Sequence, residues 1–306
     1  MIEVANLTKT YGPKRAVDDI SFTAPAGSVT GFLGPNGAGK STTMRMIMGL
    51  DRPDAGTATV DGKPLASHAA PMHVVGALLE AKSVTPGRTA RNHLRVLAAT
   101  HGIGRKRVDE VIQMTGLDQV AKKRVKGFSL GMGQRLGIAT ALLGDPATLI
   151  MDEPVNGLDP DGVLWVRNLA RQFAAEGRTV LLSSHLMSEV QLTADRVVVI
   201  GRGKILAQGS VADFTAQAAT GAVTVKTSDD DRLAAIVAAE GAEVTRTTDA
   251  VVVNGLEPPR IAELAVGSGL ALNELVKSNA TLEEAYLRLT ADAVEYQAGT
   301  PEGAVK

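Results

Sequence analysis

The feature that most constrains this sequence is a glycine-rich loop placed between a β-like run and a helix-like run. Residues 34–42 read GPNGAGKST and match the pattern G-x-x-x-x-G-K-[S/T]. The apolar run SVTGFLG leads into the loop, and STTMRMIMGL, which precedes Pro53, follows as a predicted short helix. A strand before the loop and a helix after it are the context that this pattern requires. The sequence therefore predicts an α/β fold that opens with strands.

The residue types of this loop suit the binding of phosphate groups. Glycines allow backbone N–H groups to turn towards phosphate oxygens, and the helix N-terminus adds positive potential. Lys40 can bridge phosphates, and the Ser41 hydroxyl can ligate Mg²⁺. A glycine-rich turn with a solvent-exposed lysine is the alternative, but few other functions need all of these features together. We predict a nucleotide-binding loop composed of Gly34, Asn36, Gly37, Ala38, Gly39, Lys40, Ser41 and Thr42.

Two acidic residues end an apolar run later in the chain. Asp152 and Glu153 belong to ATLIMDEP, and a helical segment over residues 161–176 separates this run from a second one, RTVLLSSH. This order is typical of a βαβ unit, in which the carboxyl ends of parallel strands face the ligand crevice. There Asp152 can hold Mg²⁺ through water, and Glu153 can polarise an attacking water. A solvated turn is the alternative, which the upstream loop makes less favourable.

The hydrophobic pattern divides the chain into parts of different character. Residues 1–216 are predicted to form an α/β domain with a largely parallel sheet and a helical subdomain at about residues 81–145. Residues 217–292 read as strand, helix, hairpin, helix, strand and helix, which predicts a small α+β domain of ferredoxin-like order. Within it, Thr281 and Glu284 form a predicted capping box for the last helix. Residues 293–306 are a predicted flexible tail.

Composition and charge exclude several classes of function. The 306 residues include no Cys, which excludes disulfides, thiolate metal sites and cysteine nucleophiles. Lys and Arg (32) nearly balance Asp and Glu (33), and the basic run 122–126 lacks interleaved aromatic residues, so we expect no nucleic-acid partner. The sequence shows no secretory signal and no run of about 18 apolar residues. We expect a soluble globular protein that serves a membrane only through a partner.

Together these motifs resemble those of the ATP-binding subunits of ABC transporters, over residues 1 to about 215. Residues 128–135, FSLGMGQR, resemble the signature motif of that family, and residues 156–159, NGLD, resemble its D-loop. His185 resembles its switch histidine, and Tyr11 lies where the family places an aromatic residue that stacks on adenine. The alternative for His185 is a polar residue at a strand end with its hydrogen bonds satisfied. The alternative for Tyr11 is an aromatic residue of a turn or of the core. The last part of the chain resembles the small C-terminal domain of many exporter-type members.

Two positions depart from the common pattern of the family. The signature keeps Ser129 and Gly131, but Phe128, Leu130 and Met132 replace its usual leucine, first glycine and glutamine. At position 80 the family usually has a glutamine that contacts Mg²⁺. Glu80 stands there instead, as in some antibiotic-resistance and lantibiotic-immunity exporters. Glu80 is therefore a predicted metal-side ligand, with a solvated strand-end carboxylate as the alternative.

The resemblance implies a P-loop ABC ATPase fold and a homodimer that closes head to tail around two ATP molecules with Mg²⁺. Each ATP would lie between Lys40, Ser41 and Asp152 of one subunit and Ser129 and Gly131 of the other. Glu153 would activate water, and His185 would contact the γ-phosphate side.

The same resemblance implies a cytoplasmic protein held peripherally at the membrane by a separate transmembrane permease, with export of drugs, antibiotics or peptides favoured. A soluble ABC-type ATPase of translation or DNA repair is the alternative. The chain has one such lysine loop and no sustained heptads, which argues against it.

Overall fold

The computed structural model describes residues 1–80, 84–218, 221–247, 250–277 and 281–290. The chain divides into two compact units between Val211 and Ala212, and the second unit extends to Arg288. Helix α8, given below, begins at this division. The predicted flexible tail, residues 293–306, lies outside the described residues.

The described part of the first unit contains strands and helices in alternation. The strands are β1 (Ile2–Tyr11), β2 (Lys14–Ala24), β3 (Ser28–Leu33), β4 (Ala55–Val60), β5 (Val75–Leu78), β6 (Thr148–Met151), β7 (Thr179–Ser184), β8 (Arg196–Gly201) and β9 (Lys204–Ser210). The helices are α1 (Lys40–Ile47), α2 (Pro71–Val74), α3 (Ala90–Thr100), α4 (Arg105–Met114), α5 (Leu130–Leu142), α6 (Pro160–Ala175) and α7 (Met187–Thr193). Helix α8 (Val211–Ala218) begins at Val211 of the first unit, and its other residues belong to the second unit.

The largest sheet has the order β5-β6-β7-β3-β8-β9. Its first five strands are parallel, and β9 runs antiparallel to β8 at the edge. Every residue of β3 and β7 is buried, as expected for strands covered on both faces. The predicted α/β class with a largely parallel sheet is confirmed. Because β3, β6 and β7 are parallel neighbours, the segments that follow their last residues meet at one edge.

A second sheet, of order β2-β1-β4, is antiparallel, and the sequence predicted only that strands open the fold. Its apolar side chains share a core with the large sheet, in which Phe22 of β2 stacks on Phe32 of β3 with ring centroids 5.3 Å apart. This packing places β2 beside the glycine-rich loop that follows β3.

Helices α3, α4 and α5 occupy the region predicted as a helical subdomain. Each helix buries apolar side chains: Leu94 in α3, Val108 and Val111 in α4, and Leu136 in α5. The residues between α4 and α5, with their glycines and basic side chains, form short turns. The last residue of this connection, Ser129, caps α5, because its Oγ accepts a hydrogen bond from the backbone N–H of Met132.

The second unit contains β10 (Val223–Thr227), α9 (Asp230–Ala239), β11 (Glu243–Arg246), β12 (Val251–Asn254), α10 (Pro258–Gly267), β13 (Leu272–Lys277) and most of α11 (Leu282–Thr290), whose last two residues lie beyond Arg288. The strands form an antiparallel sheet of order β11-β12-β10-β13. This is the split β-α-β arrangement that the predicted element order requires, since β12 lies between β10 and β11. Its own core includes Val223, Leu233, Val253 and Ile261.

The predicted capping box at the start of α11 is present. The Thr281 backbone N–H donates to Oε2 of Glu284 at 3.1 Å, and the Glu284 backbone N–H donates to the Thr281 hydroxyl at 3.1 Å. None of the helices that the structure describes combines the length and the apolar character of a membrane span.

Candidate active site

The glycine-rich loop connects β3 to α1 and brings backbone N–H groups to one cavity. Gly39, immediately before α1, has a φ of 110°, and a Cβ there would come within 2.5 Å of the Ala16 carbonyl oxygen. Only glycine fits this conformation and this close approach. The first turn of α1, at Lys40, Ser41 and Thr42, presents N–H groups that have no acceptor within the helix. The result is an anion-binding helix start.

Lys40 is held inside this site. The residue is 6% exposed, and its Nζ donates to the carbonyl oxygens of Gly34, at 2.6 Å, and Pro35, at 3.2 Å. Burial lowers the pKa of Lys40 from its ordinary value, while the nearby charges of Glu153 and Asp152 oppose that shift. The ammonium group is therefore held by loop carbonyls near the strand-end carboxylates, where a bound anion would offset the cost of burying its charge.

A chain of hydrogen bonds joins the loop to the ends of two strands. The Ser41 hydroxyl donates to Oδ2 of Asp152 at 2.5 Å, and the Ser183 hydroxyl donates to Oδ1 of the same carboxylate. The Ser183 oxygen in turn accepts the backbone N–H of Glu153 at 2.9 Å. Asp152 thus receives one hydroxyl on each oxygen, which orients its carboxylate towards the start of α1.

Glu153 and His185 contact each other directly. Nδ1 of His185 lies 2.8 Å from Oε2 of Glu153. Glu153 also has a φ of 50°, a conformation that is uncommon for residues other than glycine. The structure therefore brings together the two residues that the sequence predicted as catalytic.

The loop and the carboxylates enclose a cavity of about 300 Å³. This is the lower end of the size range of small-molecule sites. Its lining residues are Ala16, Asn36, Gly37, Ala38, Gly39, Lys40, Ser41, Thr42, Leu79, Asp152 and Glu153. Ala16 and Leu79 were not predicted from the sequence, because an apolar residue that lines a site carries no chemical signature.

Three parts of the predicted site lie elsewhere within the subunit. Glu80 lines a neighbouring cavity of about 280 Å³ together with Arg45 and His93, and Leu79 reaches the loop cavity in its place. The negative charge of Glu80 contributes to the raised pKa of Arg45, after the larger effects of its hydrogen bond to Asp51 and the Asp51 charge. The structure therefore does not bring Glu80 into the cavity with Asp152.

Tyr11 lies at the end of β1 and is 47% exposed. Its hydroxyl donates to Oδ2 of Asp51 at 2.8 Å, and Nζ of Lys9 lies 5.4 Å from the centre of its ring. Burial and the hydrogen bond to Asp51 raise the pKa of Tyr11. The hydrogen bond from Arg45, followed by that from Tyr11, lowers the pKa of Asp51 to about 2. Tyr11 is therefore an anchored aromatic ring outside the loop cavity.

Ser129 and Gly131 lie in the first turn of α5. Ser129 lines a cavity of about 480 Å³ with Lys126, Phe128 and Leu130. Gly131 packs on the D-loop-like segment, since a Cβ there would come within 2.9 Å of the Gly157 carbonyl oxygen. These residues are thus separate from the loop cavity of their own subunit.

Comparisons with known proteins identify a family and several relatives to which the chain is similar. A family model described as ABC transporter matches residues 17–156, and a domain of unknown function, DUF8746, matches residues 221–283. The uncharacterized ABC transporter ATP-binding protein YhcH of Bacillus subtilis is 33% identical over 308 residues, which cover 96% of this chain and 97% of the relative.

Two relatives with named transport roles match the first part of the chain. The bacitracin transport ATP-binding protein BcrA of Bacillus licheniformis is 42% identical over 67% of this chain and 68% of its own length. The lantibiotic transport ATP-binding protein SrtF of Streptococcus pyogenes is 36% identical over 67% of this chain and 89% of its own length.

Solved structures show the same fold. An ATP-binding subunit of an ABC transporter superposes with a TM-score of 0.65 at 28% identity, covering 71% of this chain and 92% of that chain. A dimeric bacterial ABC transporter cassette superposes with a TM-score of 0.64 at 24% identity, covering 69% of this chain and 98% of its own. With a relative 33% identical along nearly its full length, the chain belongs to the family of ABC transporter ATP-binding proteins, which are ATPases coupled to transport.

Proposed function

We propose that this chain binds and hydrolyses Mg²⁺-ATP at the loop cavity and uses the energy to drive a separate permease. The observation that carries the site assignment is the hydrogen bond from Ser41 to Asp152, because it joins the phosphate-binding loop to the strand-end carboxylates in one cavity. Lys40 and the N–H groups of the loop would hold the β- and γ-phosphates. Tyr11 would stack on the adenine base.

The donor set suits Mg²⁺. The Ser41 hydroxyl and the Asp152 carboxylate are hard oxygen ligands, and Mg²⁺ usually takes one or two such protein ligands together with phosphate oxygens. Within the described residues, no group of three or more His, Asp or Glu side chains forms a metal cage. Bound Mg²⁺ would offset the charge that develops on the phosphates.

Glu153 is proposed as the general base. As water attacks the γ-phosphorus, its oxygen forms the new P–O bond, its proton passes to the Glu153 carboxylate, and the bond to the ADP oxygen breaks. His185 would orient that carboxylate through its Nδ1 contact and face the γ-phosphate. Ser129 and Gly131 of a second copy would complete the site, which makes the working form a homodimer.

The partner is proposed to be a transmembrane permease that holds this chain peripherally at the cytoplasmic face of the membrane. Among the relatives, two are named for bacitracin and lantibiotic transport. By that likeness we propose export of antibiotics or peptides as the transport reaction.

The test is co-expression with a multi-span protein encoded beside this chain. We expect the chain to sediment with membranes only when that protein is present, and the membranes to hydrolyse ATP. A Lys40→Ala variant serves as the control, since it should sediment equally but lose hydrolysis. Salt-resistant association with ribosomes or DNA instead would contradict the proposal and favour a soluble ATPase.

A further inference from the structure

Glu153 is held in an unusual backbone conformation. Its φ is 50°, in the left-handed region. Six non-glycine residues of the described chain have positive φ, and four of them are Asn or Asp, which tolerate this region. Glu153 does not belong to these tolerant residue types. A residue of this type stays there only when its surroundings fix it, and such residues cluster at functional sites.

Side chains hold the Glu153 backbone from both sides. Its N–H donates to the Ser183 hydroxyl at 2.9 Å. Its carbonyl oxygen accepts Nε2 of Gln134 at 3.1 Å, and the same nitrogen donates to the Pro154 carbonyl oxygen at 2.9 Å. Both hydrogens of the Gln134 amide nitrogen are therefore used on two consecutive carbonyl groups.

Gln134 is suited to hold a fixed geometry. It is 3% exposed, so water does not compete for these carbonyl oxygens. It lies in α5, whose first residue, Leu130, packs on Gly157 in the same strand-to-helix connection. Helix α5 thus contacts residues 153–157 at two points, and a rotation of the Glu153–Pro154 peptide would break the hydrogen bond from Gln134 to the Glu153 carbonyl oxygen.

We propose that Gln134 is a positioning residue for ATP hydrolysis, which fixes the Glu153 backbone so that its carboxylate points at His185 and the attacking water. The inference rests on the proposed role of Glu153 as general base. Gln134 does not line the loop cavity, so it would act through the direction of the Glu153 side chain. A small misplacement of a catalytic group costs up to about 100-fold in rate, which sets the scale of the effect.

The test is Gln134→Met, which keeps the length of the side chain and removes both donors. In the intact protein we expect kcat for ATP to fall by roughly 10–100-fold. The ATP dissociation constant should change by less than about threefold, because the loop and Lys40 are untouched. Gln113→Met is the matched control, since Gln113 is exposed on α4. Gln134→Asn shortens the side chain by about one bond length, 1.5 Å, so the kcat of this variant should lie between those of wild type and Gln134→Met.

The Glu153→Gln background separates positioning from general support of the fold. If Gln134 acts through the carboxylate, then Glu153→Gln/Gln134→Met should hydrolyse ATP no more slowly than Glu153→Gln alone. A further loss equal to that of the single Gln134 variant would overturn the inference, as would a kcat for both Gln134 variants within twofold of wild type. If Glu153→Gln itself keeps wild-type activity, the proposed base is wrong and this inference falls with it. If Glu153→Gln is inactive and the Gln134 variants are active, this inference alone fails.

Discussion

The Nδ1 atom of His185 lies 2.8 Å from Oε2 of Glu153, although the two residues follow different strands of the central sheet. With Glu153 ionised, as a general base requires, Nδ1 is the donor in this contact. The imidazole thereby restrains the carboxylate beside the phosphate-binding loop. The pairing depends on the parallel register of β6 and β7, which ends both strands at the same edge.

We expect His185→Ala to lower kcat for ATP by about tenfold or more, since an unrestrained base adopts the reactive geometry less often. The dissociation constant for ATP should change little. Steady-state hydrolysis and equilibrium nucleotide binding measure the two quantities. His101→Ala, a change at an exposed histidine, is the control. An unchanged kcat in His185→Ala would remove this residue from the catalytic site.

The carboxyl group of Asp51 predicts a pH-dependent contribution to stability. Its pKa of about 2 in the folded protein, caused first by the Arg45 hydrogen bond, lies below the unfolded value of about 3.9. The stabilisation is therefore present above about pH 4 and is lost as the pH falls towards 2. We expect Asp51→Asn to cost about 1 kcal/mol or less at pH 7, and this cost should decrease as the pH falls and vanish only below pH 2.

Urea unfolding at a series of pH values tests this. The difference in free energy of unfolding between wild type and Asp51→Asn should become smaller as the pH falls from 4 to 2. The exposed, uncharged residue Gln119 supplies the control, because Gln119→Ala removes no ionisable group. A difference that stays constant over this window would show that Asp51 is not held in its ionised form.

The division between the two units predicts an independent first unit. Phe32, Ile150 and Leu181 belong to the core of the first unit, whereas Val223 and Leu233 belong to a separate core. A chain ended after Ala216 should therefore fold and bind ATP. Circular dichroism on heating and binding of a fluorescent ATP analogue measure both properties. Loss of cooperative unfolding in the shortened chain would show that residues beyond 216 are required for the first core.

Glu80 provides a test of the metal site. We expect Glu80→Gln to raise the Mg²⁺ concentration needed for half-maximal hydrolysis, because a carboxylate holds Mg²⁺ more tightly than an amide does. Its position beside Arg45 means that direct contact with the metal requires the side chain to leave that cavity when ATP binds. Titration of Mg²⁺ at fixed ATP decides this, with Glu243→Gln in the second unit as control. An equal or lower Mg²⁺ requirement in Glu80→Gln would show that Glu80 is a solvated carboxylate at a strand end and does not ligate the metal.

Much of the fold follows from local sequence. The glycine-rich loop, the apolar runs of β6 and β7 and the capping box at Thr281 each carry a local signature, and the structure shows all of them where predicted. The second sheet was largely missed, because its strands mix buried and exposed residues with several register shifts. Pairing of this kind is determined by contacts distant in sequence.

The candidate site also combines residues that the sequence predicts with residues that only the structure identifies. Lys40, Ser41, Asp152 and Glu153 were predicted because each has a residue type and a place in a motif that chemistry requires. The roles of Ser183 and Gln134 were not predicted, since they depend on hydrogen bonds to the backbone and carboxylate of residues 152–154. Those bonds become visible only when the strand ends and α5 are brought together in three dimensions.

The central claim, that this chain hydrolyses ATP with Glu153 as base, is tested most directly by Glu153→Gln. The amide cannot accept the proton of the attacking water, so hydrolysis should fall by roughly 10²–10⁴-fold while ATP binding persists. ATP-dependent dimers should then accumulate on a size-exclusion column, whereas Lys40→Ala should weaken ATP binding itself. Measurement of single-turnover ATP hydrolysis by purified Glu153→Gln is decisive. The account predicts this loss with retained binding, and hydrolysis at the wild-type rate would contradict it.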